Sequence, residues 1–446
     1  MRRFLFCLLL ILATPAWAQP PAGAPKSLLT LEEAVNTALQ ENRQVQNATL
    51  EVSKSEHMLA AVRTHRWPIF EVVAAEDWLL TPLENFNALG SLPGLLPIPI
   101  PVSTPTSLIK SQQPTAYIAG LMAQPLSQQY RIGLNISMHN VMREIAWEEL
   151  RAKRQAVVND VKRVYFSILQ TQSSLESVEE NIRFLRELDR LTGHRLKQEA
   201  VLKSQSLEVK ARLAQTAQDQ IVLHNNLATQ KEQLNDLMGR NILTEFRVNP
   251  VPEATSLEND LEGARTRALQ QRPEIREARL RTKQAEYDRW IKQAEYIPDI
   301  SFTVSYAKTV NLSPLPDNLG FAGFMLTWEP FDWGRKRQEL DAKTATLAQT
   351  KNTSQETESK VLIDVDSKFR SLQASRGQLL ASRAAQEAAL EKLKETMDDF
   401  KNDTVLLKDV LEAQTHLAQA DSEYQKALSG VWTDKAAFEK ATGEEK

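Results

Sequence analysis

Cysteine is nearly missing from this chain: Cys7 is the only one in 446 residues. It lies in an apolar run from Phe4 to Ala13 that follows Arg2 and Arg3 and leads to Ala16-Trp17-Ala18, the small-x-small pattern of a secretory cleavage site. Residues 1–18 are therefore expected to be a signal peptide, and the remaining 428 residues to lie outside the cytoplasm with neither a disulfide nor a thiolate ligand. A lipid-anchored form would need cysteine at the cleavage point, where Gln19 stands. Long apolar runs are missing too. The leader falls short of the ~20 residues that a spanning helix needs, and no later stretch approaches that length, so any membrane crossing has to be made of strands.

Catalytic and ligand-binding patterns are also wanting. The histidines at 57, 65, 139, 194, 224 and 416 show no metal-ligand spacing. There is no glycine-rich phosphate loop, nucleophile elbow or cysteine site. No enzymatic activity, cofactor or metal is expected. The formal charge of −3, or −5 without Arg2 and Arg3, argues against nucleic acid as a partner.

Proline is present but confined. None occurs between Pro125 and Pro250 or after Pro330, and few of the 14 glycines interrupt those stretches. Helices of roughly 60 residues, about 90 Å long, fit there. Val161, Val164, Ile168, Leu175, Val178, Ile182 and Leu185 follow a 3-4 heptad seam with Thr171 at one place, which predicts coiled-coil packing.

The chain also repeats itself. Residues 31–70 align without gaps on 261–300, an offset of 230, with ten identities including Leu31, Ala38 and Pro68. Residues 154–240 align on 358–444 at an offset of 204: Asp160-Val161 falls on Asp364-Val365, Val201-Leu202 on Val405-Leu406, and Gly239 on Gly443. The 26-residue difference is an insertion in the first copy, visible as the proline-rich stretch 91–114, which is expected to be an elongated loop. The organisation expected is a first repeat at 19–240, a linker at 241–257 and a second repeat at 258–446. Each repeat reads as helix, strand hairpin and two long helices, with hairpins at about 67–140 and 298–331.

Strand alternation is read in Ile300, Phe302, Val304 and Tyr306, and again in Ile132, Leu134, Ile136 and Met138. One apolar and one small or polar face suit the outside and inside of a transmembrane barrel, and equally the edge of a soluble sandwich. Trp67, Trp78, Trp328 and Trp333 fall near strand ends, where an interfacial aromatic girdle would contact membrane lipid. Two hairpins give four strands, too few to close a barrel, so copies must pool strands; two copies or more satisfy this.

The duplicated segments, the Trp-x-x-Phe-Asp-x-Gly-Arg run at 328–335 and "KDVLEAQTHL" at 408–417 together resemble the TolC-like outer membrane efflux protein family, over essentially the whole mature chain. The resemblance implies a mixed fold, a homotrimer in which twelve strands, four per protomer, form one transmembrane β-barrel continuous with a long α-helical coiled-coil periplasmic barrel. It implies an outer membrane export duct, without catalysis of its own, serving a tripartite efflux or type I secretion system with a periplasmic adaptor and an inner-membrane pump. Trp328, Pro330, Trp333, Gly334 and Arg335 are then the barrel-to-tunnel junction. The turn at 397–414 becomes the periplasmic tip, with Asp409, Glu412, Asp403 and Phe400 as candidate gate residues. Asp409 and Glu412 match the acidic positions with which the family closes its tunnel, although the second is more often aspartate. Their counterparts in the first copy are Gln205 and Glu208, and the glycine usual in this turn is Asp403 in one copy and Glu199 in the other. The competing reading is a coiled-coil scaffold or the adaptor itself, though an adaptor would normally show one helical hairpin flanked by all-β segments.

Overall fold

The computed structural model describes residues 27–78, 114–198, 202–250, 260–310, 316–402 and 404–444. The leader and residues 91–113 of the proline-rich stretch lie outside them. The elements follow one another in the same order twice. First come β1 (Ser27–Leu29), α1 (Leu31–Glu41), α2 (Arg43–Thr64), β2 (Ile69–Asp77), β3 (Thr115–Pro125), α3 (Gln129–Lys197) and α4 (Lys203–Leu237). Then come β4 (Phe246–Val248), α5 (Leu261–Gln271), α6 (Pro273–Ala294), β5 (Asp299–Val310), β6 (Asn318–Thr327), α7 (Arg335–Lys401) and α8 (Leu407–Thr442). Helices of 69 and 67 residues, α3 and α7, each rise about 100 Å.

In both halves an 11-residue helix and a 22-residue helix are separated by one extended residue. In the second half this is Arg272, held out of the α region by the following Pro273. In the first half Asn42 takes nearly the same backbone angles without a proline, and its side-chain amide donates to the Leu237 carbonyl at 2.8 Å. Thr30 and Glu33 close a capping box at the start of α1, and Asp260 caps α5.

The chain divides into two compact units. One contains residues 157–258 and 372–436 together with the segment up to Asn42. Its core holds Ala34, Ala38, Val161, Ile168, Leu188, Val209, Leu234 and Phe246, all but excluded from water. The heptad seam is buried at Val161, Val164, Ile168, Thr171, Leu175, Ile182 and Leu185, and Thr171 satisfies its hydroxyl on the Ser167 carbonyl one turn back. Strands β1 and β4 pair in parallel. The buried Tyr165 hydroxyl locks them to α3, lying 2.9 Å from the Leu29 carbonyl and 2.8 Å from that of Asn249. Because β4 lies at 246–248, the expected linker at 241–257 is in part a strand. A three-residue parallel pairing is too short to show a period in sequence.

The other unit contains residues 43–156 and 259–371 with the end of α8. Its helices are tied by ion pairs. The buried Arg272 binds Glu274 and Asp364, and Arg265 binds Asp366 at 2.6 Å. Its sheet is antiparallel, in the order β2-β3-β5-β6. The first hairpin therefore runs over 69–125, and the strand read at 132–139 is instead the beginning of α3. Four alternating apolar residues are too few to tell the two periods apart, and the 204-residue offset that aligns the long helices lays 132–139 over 336–343, in the first turns of α7.

Candidate functional site

The sheet presents two different faces. Register places Phe70, Val72, Ile118, Tyr306, Phe324 and Leu326 on one side, all exposed. The opposite side mixes Glu71, Ser301, Thr303, Ser305 and Thr309 with apolar residues such as Phe321. Among the described residues β2 pairs only with β3 and β6 only with β5, so both outer strands leave a row of backbone donors and acceptors unpaired. Among the same residues no helix is long and apolar enough to cross a membrane.

Strand β6 ends at Thr327, and Trp328 to Gly334 turn the chain into α7. Pro330 has no N–H to extend a ladder. Trp333 and Gly334 both adopt the left-handed region, with φ of 56° and 86°. For a bulky residue this conformation is strained, yet Trp333 is 90% exposed, with its ring edge to face against Phe331. The turn is held by Asp332, whose carboxylate accepts from the Gly334 and Lys336 N–H groups at 3.1 and 2.9 Å. Those backbone bonds, Lys336 first, lower the Asp332 pKa. Arg335 pairs with Glu329 at 2.7 Å, and Lys336 reaches the Glu329 carbonyl at 3.1 Å. Trp328, Pro330, Trp333, Gly334 and Arg335 thus form one contiguous turn, with its aromatic rings outward and Arg335 paired with Glu329 at the surface.

The turn between α7 and α8 is built differently. Phe400 is buried in a cluster with Leu188, Val209, Leu393, Leu407 and Val410, and the Arg195 guanidinium lies 4.5 Å from its ring centroid. It anchors the turn from within. Asp409 and Glu412 are both exposed on α8. The Asp409 carboxylate accepts the Leu406 N–H at 2.9 Å, capping the helix, while Glu412 stands 3.9 Å from His416. In the first half the Gln205 side chain accepts from the Leu202 N–H at 3.0 Å, so positions 204 residues apart do the same local work. Asp403 lies outside the described residues.

Sequence reasoning missed the leucines that these caps serve. Leu202 and Leu406 occupy the starts of α4 and α8 at 68% and 66% exposure, where Ser, Thr, Asp or Asn would cap better. The signal was available in the alignment of Val201-Leu202 on Val405-Leu406.

Residues 264–444 match the family model described as outer membrane efflux protein. No curated protein matches the sequence. Among solved structures, the outer membrane protein VceC from Vibrio cholerae is similar at a TM-score of 0.76 and 16% identity, over 93% of this chain and 96% of that one. The Campylobacter jejuni CmeC outer membrane channel is similar at 0.79 and 15%, over 93% and 85%. The open state of the Neisseria gonorrhoeae MtrE outer membrane channel is similar at 0.71 and 15%, over 97% and 98%. At these identities the likeness is one of fold.

Proposed function

Residues 264–444 form an outer membrane efflux protein domain within a chain that has the fold of outer membrane channels, and from this premise we propose that the protein is a trimeric export channel of the outer membrane. The observation that carries the reading is the sheet. Four strands with an exposed apolar face and two unpaired edges cannot stand alone in lipid, where every backbone polar group needs a partner. Three copies, built on a duplicated chain, complete a twelve-stranded barrel, and the 67- and 69-residue helices supply the periplasmic tunnel. Trp67, Trp78, Trp328 and Trp333, all exposed, suit the headgroup level.

The channel is a passive duct without enzymatic activity, and the energy for export comes from an inner-membrane pump joined through a periplasmic adaptor. Exposed Leu202 and Leu406 support docking of the adaptor at the helical turns. Asp409 and Glu412 from three copies make an acidic constriction that attracts cations and closes the periplasmic entrance. A coiled-coil scaffold would leave the exposed apolar sheet without a purpose.

Planar-bilayer conductance of the mature protein tests this reading beside a variant carrying Asp409→Asn and Glu412→Gln. A small native current blocked by divalent cations, and a larger, less blocked one in the variant, is the expected result. If neither protein conducts, the channel reading fails.

A further inference from the structure

The sheet already contains, between its two hairpins, the kind of joint that its free edges lack. Inside the chain the second strand of the first hairpin, β3, pairs with the first strand of the second, β5. The free edges are the corresponding pair: β6 is the second strand of its hairpin and β2 the first of its own. Phe70 pairs with Met122 and Ile300 with Leu326. Ile300 follows Phe70 by 230 residues, and Leu326 follows Met122 by 204, the same two offsets at which the sequence repeats. The internal joint therefore translates residue by residue. Met122 opposite Val304 becomes Leu326 opposite Ala74; Ala123 opposite Thr303 becomes Thr327 opposite Val73; Gly120 opposite Tyr306 becomes Phe324 opposite Glu76.

Resting on the channel reading, we infer that β6 of one copy joins β2 of the next in this antiparallel register, so that a second copy of this chain is the occupant of each free edge. The joint is head-to-tail and repeats around a closed ring. It keeps the faces continuous, placing Phe324 and Leu326 on the side that carries Phe70 and Val72, whereas a one-residue slip would invert them. It also brings charge together. Pro125 opposite Ser301 becomes Glu329 opposite Glu71, and Glu329 is already held by Arg335 at 2.7 Å and Lys336 at 3.4 Å, so two cations serve two carboxylates. The joint ends there for a chemical reason. The internal joint continues with the Leu126 N–H donating to the Ile300 carbonyl at 2.9 Å, and the residue that replaces Leu126 is Pro330, which has no N–H. The strained turn at Trp333 and Gly334 follows where the ladder cannot.

Paired cysteines in the full-length protein, oxidised in its own membrane, test the register. Leu326→Cys with Ala74→Cys and Thr327→Cys with Val73→Cys are both made, because neighbouring pairs alternate between wide and close separations and one suits a disulfide better. Leu326→Cys with Val72→Cys and Leu326→Cys with Glu76→Cys represent two-residue slips, which move the partner about 7 Å along the strand and out of reach. Expected is a reducible three-chain ladder from at least one of the first two pairs and none from the slipped pairs or the unsubstituted protein. A ladder from a slipped pair alone overturns the register and leaves the channel reading standing. No ladder from any pair, in variants that still migrate as heat-modifiable assemblies, overturns the joint itself. If the unsubstituted protein forms no heat-modifiable assembly, the channel reading falls with it.

Discussion

A single carboxylate can carry two jobs, and at Asp409 they can be separated. Its oxygen caps α8 through the Leu406 N–H, while its charge belongs to the proposed constriction. Asp409→Asn keeps an acceptor and loses the charge, whereas Asp409→Ala loses both. Thermal unfolding should therefore distinguish them: the alanine variant loses about 0.5–2 kcal/mol, as for a lost helix cap, and the asparagine variant little. Equal losses would mean that the cap contributes nothing. Asp421 is a simpler case. Burial, opposed by a 2.8 Å bond from Gln386 and reinforced by Glu180, raises its pKa. A carboxyl whose folded pKa lies above its unfolded value costs stability while ionised and regains it as pH falls through the folded value. Asp421→Asn should accordingly stabilise the protein modestly near neutrality, with the gain shrinking to nothing below about pH 4, where both states are protonated. A gain that persists in acid would point to packing instead of charge.

At the scale of elements, glycines with the same sign of φ do different work. Gly239 closes α4 at φ 68°, and a Cβ there would lie 2.2 Å from the Glu41 carbonyl oxygen. Gly334 opens α7 at φ 86° with empty space around it. Gly239→Ala should cost the left-handed penalty of about 1–2 kcal/mol plus about 1–3 kcal/mol of overpacking, and Gly334→Ala only the first. Comparable midpoints in denaturant for the two variants would refute the packing account. Much of this level was legible in the sequence. Proline-free stretches marked α3, α4, α7 and α8, the heptad seam marked its buried face, and Gly239 aligned with Gly443. The α1–α2 and α5–α6 breaks were not read. Pro273 marks the second, but the first rests on Asn42 and its bond to the distant Leu237 carbonyl, which no local pattern announces. The strand at 132–139 was misread because alternation over so short a run carries little information, while the strand that does form, Thr115–Pro125, dilutes its alternation with small residues at Ala116, Ala119, Gly120 and Ala123. Phe400, a candidate gate residue, is buried, and its burial depends on α3 and α4 packing over it, which no local pattern announces.

At the scale of the whole molecule, a pooled barrel makes opposite demands on the two faces of the sheet. Phe324 lies on the apolar face, opposite Phe302 with ring centroids 5.5 Å apart, and one residue away Gly323 stands opposite Thr303 on the other face. If the first face meets lipid and the second meets the lumen, a lysine is costly on one and tolerated on the other. Phe324→Lys, made together with Glu76→Gln so that no ion pair forms across the proposed joint, should weaken assembly by about 2–4 kcal/mol if the position lies near the bilayer midplane. Thr303→Lys should leave assembly intact and shift the channel toward anions, since lumenal charge tunes selectivity without crossing lipid. Unboiled gel migration reads the first effect and reversal potential across a salt gradient the second. A soluble sheet edge would tolerate Phe324→Lys, because the residue is already 75% exposed. Normal assembly of that variant would therefore count against the membrane barrel directly, whereas a lost trimer beside an intact, charge-selective Thr303→Lys channel would assign lipid and lumen to the two faces independently of any likeness to other proteins.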